Sequence, residues 1–384
     1  METTGATPPG AVTASDLAEL AKVEGPSVTV YLTTEQNVPN AGPLSEQRWK
    51  SLRSELGDQG APEEILADID PLVEGAHQHG ACLAVVANAD GVIHVEHGPA
   101  EPGRDLGVWG PLPALTQIIE WRQSAPTYIA VLADRKGADI SVFRYGLPEK
   151  SSVVEGDDYP MTKSSPGGWS QQRYQRRAEN TWEQNAAEVA EELADLVEKY
   201  GPRVVVAAGD VRALGFLSEH LSHEIQEIYR TVEGGARSES GSEEALLDHV
   251  REVVDELVAQ DGAALLDAFG AGAGQHHLAA SGPQETAKAL AMAQVDVLLV
   301  HNDSGDERTA WFGPDPSQVA LSPVALKDLG VTEPVEAKLI DVFVRAALGT
   351  GAGIRVIPGE GGSREGVGAL LRWATPDPSE SNTG

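Results

Sequence analysis

The chain has 384 residues, which at roughly 150 residues per domain predicts two or three domains. Hydrophobic residues make up 41%, enough to build real cores and too many for wholesale disorder. Its 28 Lys and Arg face 59 Asp and Glu, a net charge of −31, which excludes a general nucleic-acid coat because phosphate binding needs positive surface. The acidity reads as solubility, or adaptation to a salty cytoplasm. One cysteine, Cys82, rules out a disulfide framework within the chain, and in ACLAVVAN it reads as a small core residue. No basic region followed by an apolar run opens the sequence, and no apolar run approaches the ~18 residues of a membrane span. The expectation is a soluble, cytoplasmic protein.

Residues 1–13 and 375–384 are polar, rich in Gly, Pro, Ser and Thr, and read as frayed tails. The first region, 14–124, opens with a short helix over DLAELAKVEG that Ser15 can cap, then a strand, SVTVYLTT. Helical periodicity follows in LSEQRWKSLRSEL and APEEILADIDPLVEGAHQHG. ACLAVVANADGVIHVEHG reads as a hairpin around Asp90-Gly91, and LPALTQIIEWRQ as a closing helix. The second region, 125–269, begins with three strands, at 127–134, 137–145 and 151–157. After a long polar loop, a helix is predicted from about Glu179 to Tyr200, with Ala186, Val189, Ala190, Leu193 and Val197 on one face. RVVVAAGD reads as a strand covered on both faces, followed by a helix, a short strand (EIYRTVE) and a helix over SEEALLDHVREVVDELVA. The third region, 270–374, reads as a helix (GPQETAKALAMAQ), a strand (VDVLLVHND), a helix (PVEAKLIDVFVRAALGTG), a strand (AGIRVIPG) and a last apolar run (GVGALLRWA). That order fits a small α/β/α sandwich.

The segment Tyr159–Ala178, YPMTKSSPGGWSQQRYQRRA, stands apart. It carries Lys163, Arg173, Arg176 and Arg177 and no acid, in a chain with 59 of them. A basic loop with Gly167-Gly168 near its tip can bring backbone close to phosphate or ribose. Arginines interleave with Tyr174 and Trp182, as in surfaces that bind RNA by charge and stacking. A plain solvated loop explains this less well, because cations oppose the dipole at a helix N-terminus.

Gly167-Gly168-Trp169-Ser170-Gln171-Gln172-Arg173-Tyr174 resembles the GGQ-S-x-x-R-F signature of archaeo-eukaryotic class I release factors, and it likewise lies between a β-hairpin and a long helix. Gly366–Trp373, GVGALLRW, resembles the GIGALLRY ending of the third domain in pelota and release factors. The chain is therefore similar to the bacterial archaeo-eukaryotic release-factor-like proteins, in their actinobacterial branch that includes Balon-type ribosome hibernation factors. The likeness covers nearly the whole chain in layout, and is specific over the two motifs. It implies a three-domain α/β architecture with a ribonuclease-H-like middle domain and a C-terminal α/β/α sandwich. It implies a 70S ribosome partner, entered at the A site, with the basic segment near the tRNA acceptor end or 23S rRNA. It also implies a translational GTPase such as elongation factor Tu, which Arg372 and Trp373 in the third domain could meet.

The departure from the signature is Trp169, which stands where release factors carry the glutamine that positions water against the peptidyl-tRNA ester. Indole has one donor and no acceptor, so it cannot orient that water in the same way. Gln171 or Gln172 could substitute only through a register shift. The first region shows no counterpart of the NIKS stop-codon motif. The expectation is occupation and protection of the ribosome, as in hibernation or stress, without hydrolysis and without a cofactor. A peptidyl-tRNA hydrolase or tRNA-end nuclease, and an acidic protein-binding scaffold, remain as alternatives. For a nuclease, Asp134, Asp139 and Asp157-Asp158 would have to converge on two metal ions, whereas Asp134-Arg135-Lys136-Gly137 reads better as a hairpin turn. The glycines from Gly270 follow a helix, so they read as a linker and not a dinucleotide fingerprint, and His276-His277 lack the partners of a metal site.

Overall fold

The computed structural model describes residues 11–12, 15–34, 40–98, 104–156, 168–233, 242–273, 278–303, 305–357 and 364–374, with backbone only at 15–16, 168–178 and 242–245. Two compact units result: Met1–Ser124 together with Val258–Gly384, and Ala125–Leu257. The runs of elements from the first and third regions thus pack as one unit.

In that unit, β1 (Ser27–Thr33), β2 (Cys82–Asn88), β3 (Gly91–Gly98) and β4 (Leu106–Gly110) form an antiparallel sheet in the order β3-β2-β1-β4. The β2–β3 hairpin turns at Asp90-Gly91, where Gly91 takes φ 112°, as the Asp-Gly pair predicts. Strands β1 and β2 are buried throughout because each face meets a core. Val28, Val30, Leu32, Leu83 and Val85 pack on α2 (Ala41–Asp58) and α3 (Glu63–Val73). Tyr31, Cys82, Ala84 and Val86 face the opposite way, toward α1 (Ser15–Leu20) and α4 (Thr116–Ser124). Cys82 is a buried core residue. Strand β4 was not predicted. Its glycines hide it, and one has a packing reason: a Cβ on Gly107 would sit 3.0 Å from both Leu52 Cγ and Leu56 Cγ.

The second sheet of this unit has the order β10-β16-β11-β15, from β10 (Ala279–Ser281), β11 (Val295–Val300), β15 (Gly353–Val356) and β16 (Val367–Leu371). Strands β11 and β15 are parallel and the other pairs antiparallel. Leu265 and Phe269 of α8 (Ser242–Ala271) pack on Val297 and Leu299 of one face. The other face meets α9 (Pro283–Ala291) and α11 (Leu339–Gly349), giving an α/β/α sandwich. Residues of α11 share one core with Leu17, Tyr31, Ile118 and Trp121, which is why the first and last regions pack together.

Two expectations change here. The helix read over PVEAKLIDVFVRAALGTG starts only at Leu339, because Val335–Lys338 is instead strand β14, paired with β12 (Thr309–Phe312). Together with β13 (Val319–Ala320) they form a three-stranded sheet absent from the sequence reading. Gly270 is no linker but lies within α8, which runs on to Ala271; His276-His277 lie outside the described residues.

The second unit holds a five-stranded sheet, order β7-β6-β5-β8-β9: β5 (Tyr128–Ala133), β6 (Gly137–Arg144), β7 (Leu147–Glu155), β8 (Val204–Gly209) and β9 (Tyr229–Thr231). The first three form an antiparallel meander, and β8 and β9 add in parallel on the far side of β5. This is the ribonuclease-H-like arrangement. Ile129, Val131 and Val205 face Val189, Leu193 and Leu196 of α5 (Gly168–Tyr200), with α6 (Val211–His220) and α7 (His223–Ile228) beside it. The predicted helix start near Glu179 is corrected: the backbone is helical from Gly168 onward. No helix among the described residues is long and apolar enough to cross a membrane.

Candidate functional site

The basic segment divides at the start of α5. Lys163 and Gly167 lie outside the described residues. Gly168, Trp169, Ser170, Gln171, Gln172, Arg173, Tyr174, Arg176 and Arg177 occupy the first turns of the helix, not a loop. Polar, Gly-led composition suggested a loop, but glutamine and arginine are good helix formers and no proline follows Pro166 until Pro202.

What fixes the direction of α5 is a polar cluster at the ends of the parallel strands β5 and β8. The Arg135 guanidinium, just past β5, lies over the Trp182 ring, 4.5 Å from its centroid. The same guanidinium reaches Asp210 Oδ2 at 3.0 Å, just past β8. Asp210 Oδ1 accepts from the backbone N–H of Arg212 and Ala213 at 2.9 and 3.2 Å, capping α6. Burial pushes the Asp210 carboxyl up, but Arg135 and the two capping amides outweigh it and hold the group below its ordinary range. Asn185 Nδ2 donates to the Arg135 carbonyl at 2.9 Å. Gly156 allows Asn185 to lie close, since a Cβ there would overlap its side-chain amide. The sequence reading had Trp182 in the basic pattern but missed Asp210. Its signal was an acid directly before a helix, the ordinary N-cap position.

Of the carboxylates weighed for a nuclease, Asp134 and Asp139 lie within the β5–β6 hairpin. Asp134 Oδ1 accepts from the N–H of Lys136 and Gly137 at 2.7 and 3.0 Å, which makes the hairpin turn between β5 and β6. Asp139 is a strand residue of β6, paired in register with Leu132 and Val153. Asp157 and Asp158 lie outside the described residues. Among the described residues no three His, Cys, Asp or Glu side chains cluster to hold a metal.

Arg372 and Trp373 end strand β16 in the other unit. Arg372 donates to the carbonyls of Ala293 (3.1 Å), Gly351 (2.8 Å) and Thr350 (3.3 Å), just beyond α9 and α11. It thereby holds carbonyls of the turns that follow the two helices, near helix C-termini where a cation suits the dipole. The Trp373 carbonyl accepts from Gln294 Nε2 at 2.6 Å, and its side chain is half exposed. Of this pair, Arg372 is engaged within the fold and Trp373 presents surface.

Residues 127–275 match bacterial archaeo-eukaryotic release factor family 2. The match takes in the five-stranded sheet, the Gly167-Gly168-Trp169 position and α5, and over these residues the chain is similar to the bacterial archaeo-eukaryotic release-factor-like proteins. Two uncharacterized proteins of Mycobacterium tuberculosis, Rv2629 (strain H37Rv) and MT2704 (strain CDC 1551), are each 29% identical over 374 residues, 92% of this chain and 95% of theirs. Among solved structures, the archaeal translation termination factor aRF1 aligns over 93% of this chain and 96% of its own at 16% identity and TM-score 0.26. Archaeoglobus fulgidus Pelota aligns over 96% and 95% at 14% identity and TM-score 0.32. Archaeal Pelota, in a model of its ribosome-bound state with ABCE1, aligns over 95% and 96% at 14% identity and TM-score 0.40.

Proposed function

We propose that this release-factor-like protein binds the 70S ribosome at the A site through the Lys163–Arg177 segment, and occupies the site without hydrolysing peptidyl-tRNA. The observation that carries this is the family match across 127–275, with Trp169 in place of the release-factor glutamine. The charge pattern supports it. Arg173, Arg176 and Arg177 fall in the second and third turns of α5, in a stretch of the chain without an acid. At about 100° per residue, positions 173, 176 and 177 fall on the side of the helix away from Trp182, Val189 and Leu193. A cationic strip on a body of net charge −31 suits contact confined to one segment. In this reading the protein acts in hibernation or stress protection, with elongation factor Tu or another translational GTPase as its delivery partner and Trp373 on the surface that meets it.

The test is sedimentation of tagged protein in sucrose gradients from growing and starved cells, beside an Arg173→Glu/Arg176→Glu/Arg177→Glu variant. Expected is 70S association in starved cells that the variant loses, and that weakens steeply with added salt. Protein that stays at the top of the gradient in both conditions overturns the proposal. Peptide release from loaded ribosomes in vitro would overturn the non-hydrolytic part alone.

A further inference from the structure

A cavity of about 80 Å³ opens in the unit built from the first and last regions, lined among others by Tyr31, Arg104, His301, Arg308, Lys338 and Asp341. Asp341 in its wall is only 8% exposed and accepts no hydrogen bond among the described residues. A buried carboxylate without a donor is costly, so unless a cationic partner offsets its burial this group favours its protonated form. His301 also faces the cavity, and its Nε2 is buried without a partner. The other acids nearby are already engaged. Asp306 holds Arg308 by two short bonds of 2.6 and 2.8 Å, and Asp303 Oδ1 accepts from the Gly305 N–H. Arg104 and Lys338 are exposed at the cavity and form no ion pair among the described residues. Two helices also start here, α4 at Thr116 and α11 at Leu339, directing the positive ends of their dipoles to the same space. Leu106, Val108 and Ile340 supply apolar wall.

A lone buried carboxylate selects an ammonium donor, and cations with helix N-termini select an anion. The interior of the cavity is smaller than the ~150 Å³ that accommodates benzene, which suits two charges carried on a short frame, while the open mouth leaves room for a side chain. We infer that this cavity binds a free α-amino acid, with its ammonium on Asp341, its carboxylate toward Lys338, Arg104 and the helix N-termini, and its side chain along the apolar wall. A divalent cation fits less well, because Asp341 is the one carboxylate there without a partner among the described residues. The inference does not depend on the ribosomal reading, since its residues belong to the other compact unit.

The test is saturation-transfer NMR with the full-length protein and each of the twenty standard α-amino acids, at up to about 10 mM, a range set by the weak affinity of ligands this small. Expected is binding of at least one amino acid, weakened about tenfold or more by N-acetylation, by amidation of its carboxylate and by Asp341→Asn. Lys338→Ala with Arg104→Ala, both at exposed positions, should weaken it without changing the melting temperature. Absence of saturation transfer from all twenty overturns the inference. So does binding that is indifferent to N-acetylation or to the Lys338/Arg104 pair.

Discussion

Asp341 sits in the first turn of α11, next to Leu339, Val342 and Phe343. Burial pushes its carboxyl up to about 7, and the Lys338 ammonium only partly offsets this. Tyr31, His301 and Arg308 line the same space. In the unfolded chain the group titrates near 3.9, so the folded state holds the proton more tightly. The stability it supports is full below about pH 4, declines between about pH 4 and 7, and stays low above that. Wild type should therefore lose more stability between pH 5 and 8.5 than Asp341→Asn does, by roughly 2–3 kcal/mol in urea denaturation. Equal pH slopes would show that the carboxyl is not buried as described. In the sequence, LIDVFVRAALG shows an acid inside an apolar helix, but not that the acid faces a cavity. That depends on Tyr31, which lies far away along the chain. Asp210 is the opposite case, since its capping role follows from the residue next to it.

At the scale of elements, α5 shows which part of a helix sequence can reveal. Ala186, Val189, Ala190 and Leu193 recur at helical spacing and are all buried, so the apolar half was legible. The N-terminal half carries no periodic apolar stripe in its sequence that would announce it, and the cue that remained, a pair of glycines in a polar stretch, pointed to a loop. Leu193 is fully buried between α5 and the five-stranded sheet. Leu193→Ala should cost about 2–5 kcal/mol in the unfolding of the middle unit, through lost transfer energy and the cavity left behind. Because it loosens the helix that carries the arginines, it should also reduce ribosome association if the proposed contact holds. Strands β4 and β14 were missed for a common reason. Each is short, one Gly-rich and one charged, and each exists through pairing with a distant strand: β4 with β1, and β14 with β12.

At the scale of the molecule, the sequence suggested three regions in a row, and packing groups the first with the last. Gln123 on α4 donates to the Val356 carbonyl at 2.7 Å and accepts the Val356 N–H at 2.8 Å, tying α4 to strand β15 across 233 positions. Leu115, Ile118 and Ile119 share their core with Phe343 and Ala347. Residues 14–124 expressed alone would expose that apolar surface, at ~25 cal/mol per Å². The fragment should aggregate or bind a hydrophobic dye by itself, and become soluble when co-expressed with 258–374; a monomeric, cooperatively folded 14–124 would contradict the shared core. The sequence by itself determined the α/β class, the strands and helices with strong periodicity, and the likeness to release factors through the GGW segment and the closing GVGALLRW, because these depend on neighbouring residues. Only the tertiary structure decided where α5 begins, which short strands pair, that the first and last regions form one unit, and that Asp341 meets a cavity. The pairing of the short strands, the joint unit and the Asp341 cavity are set by contacts between residues far apart in the chain, which local spacing does not encode.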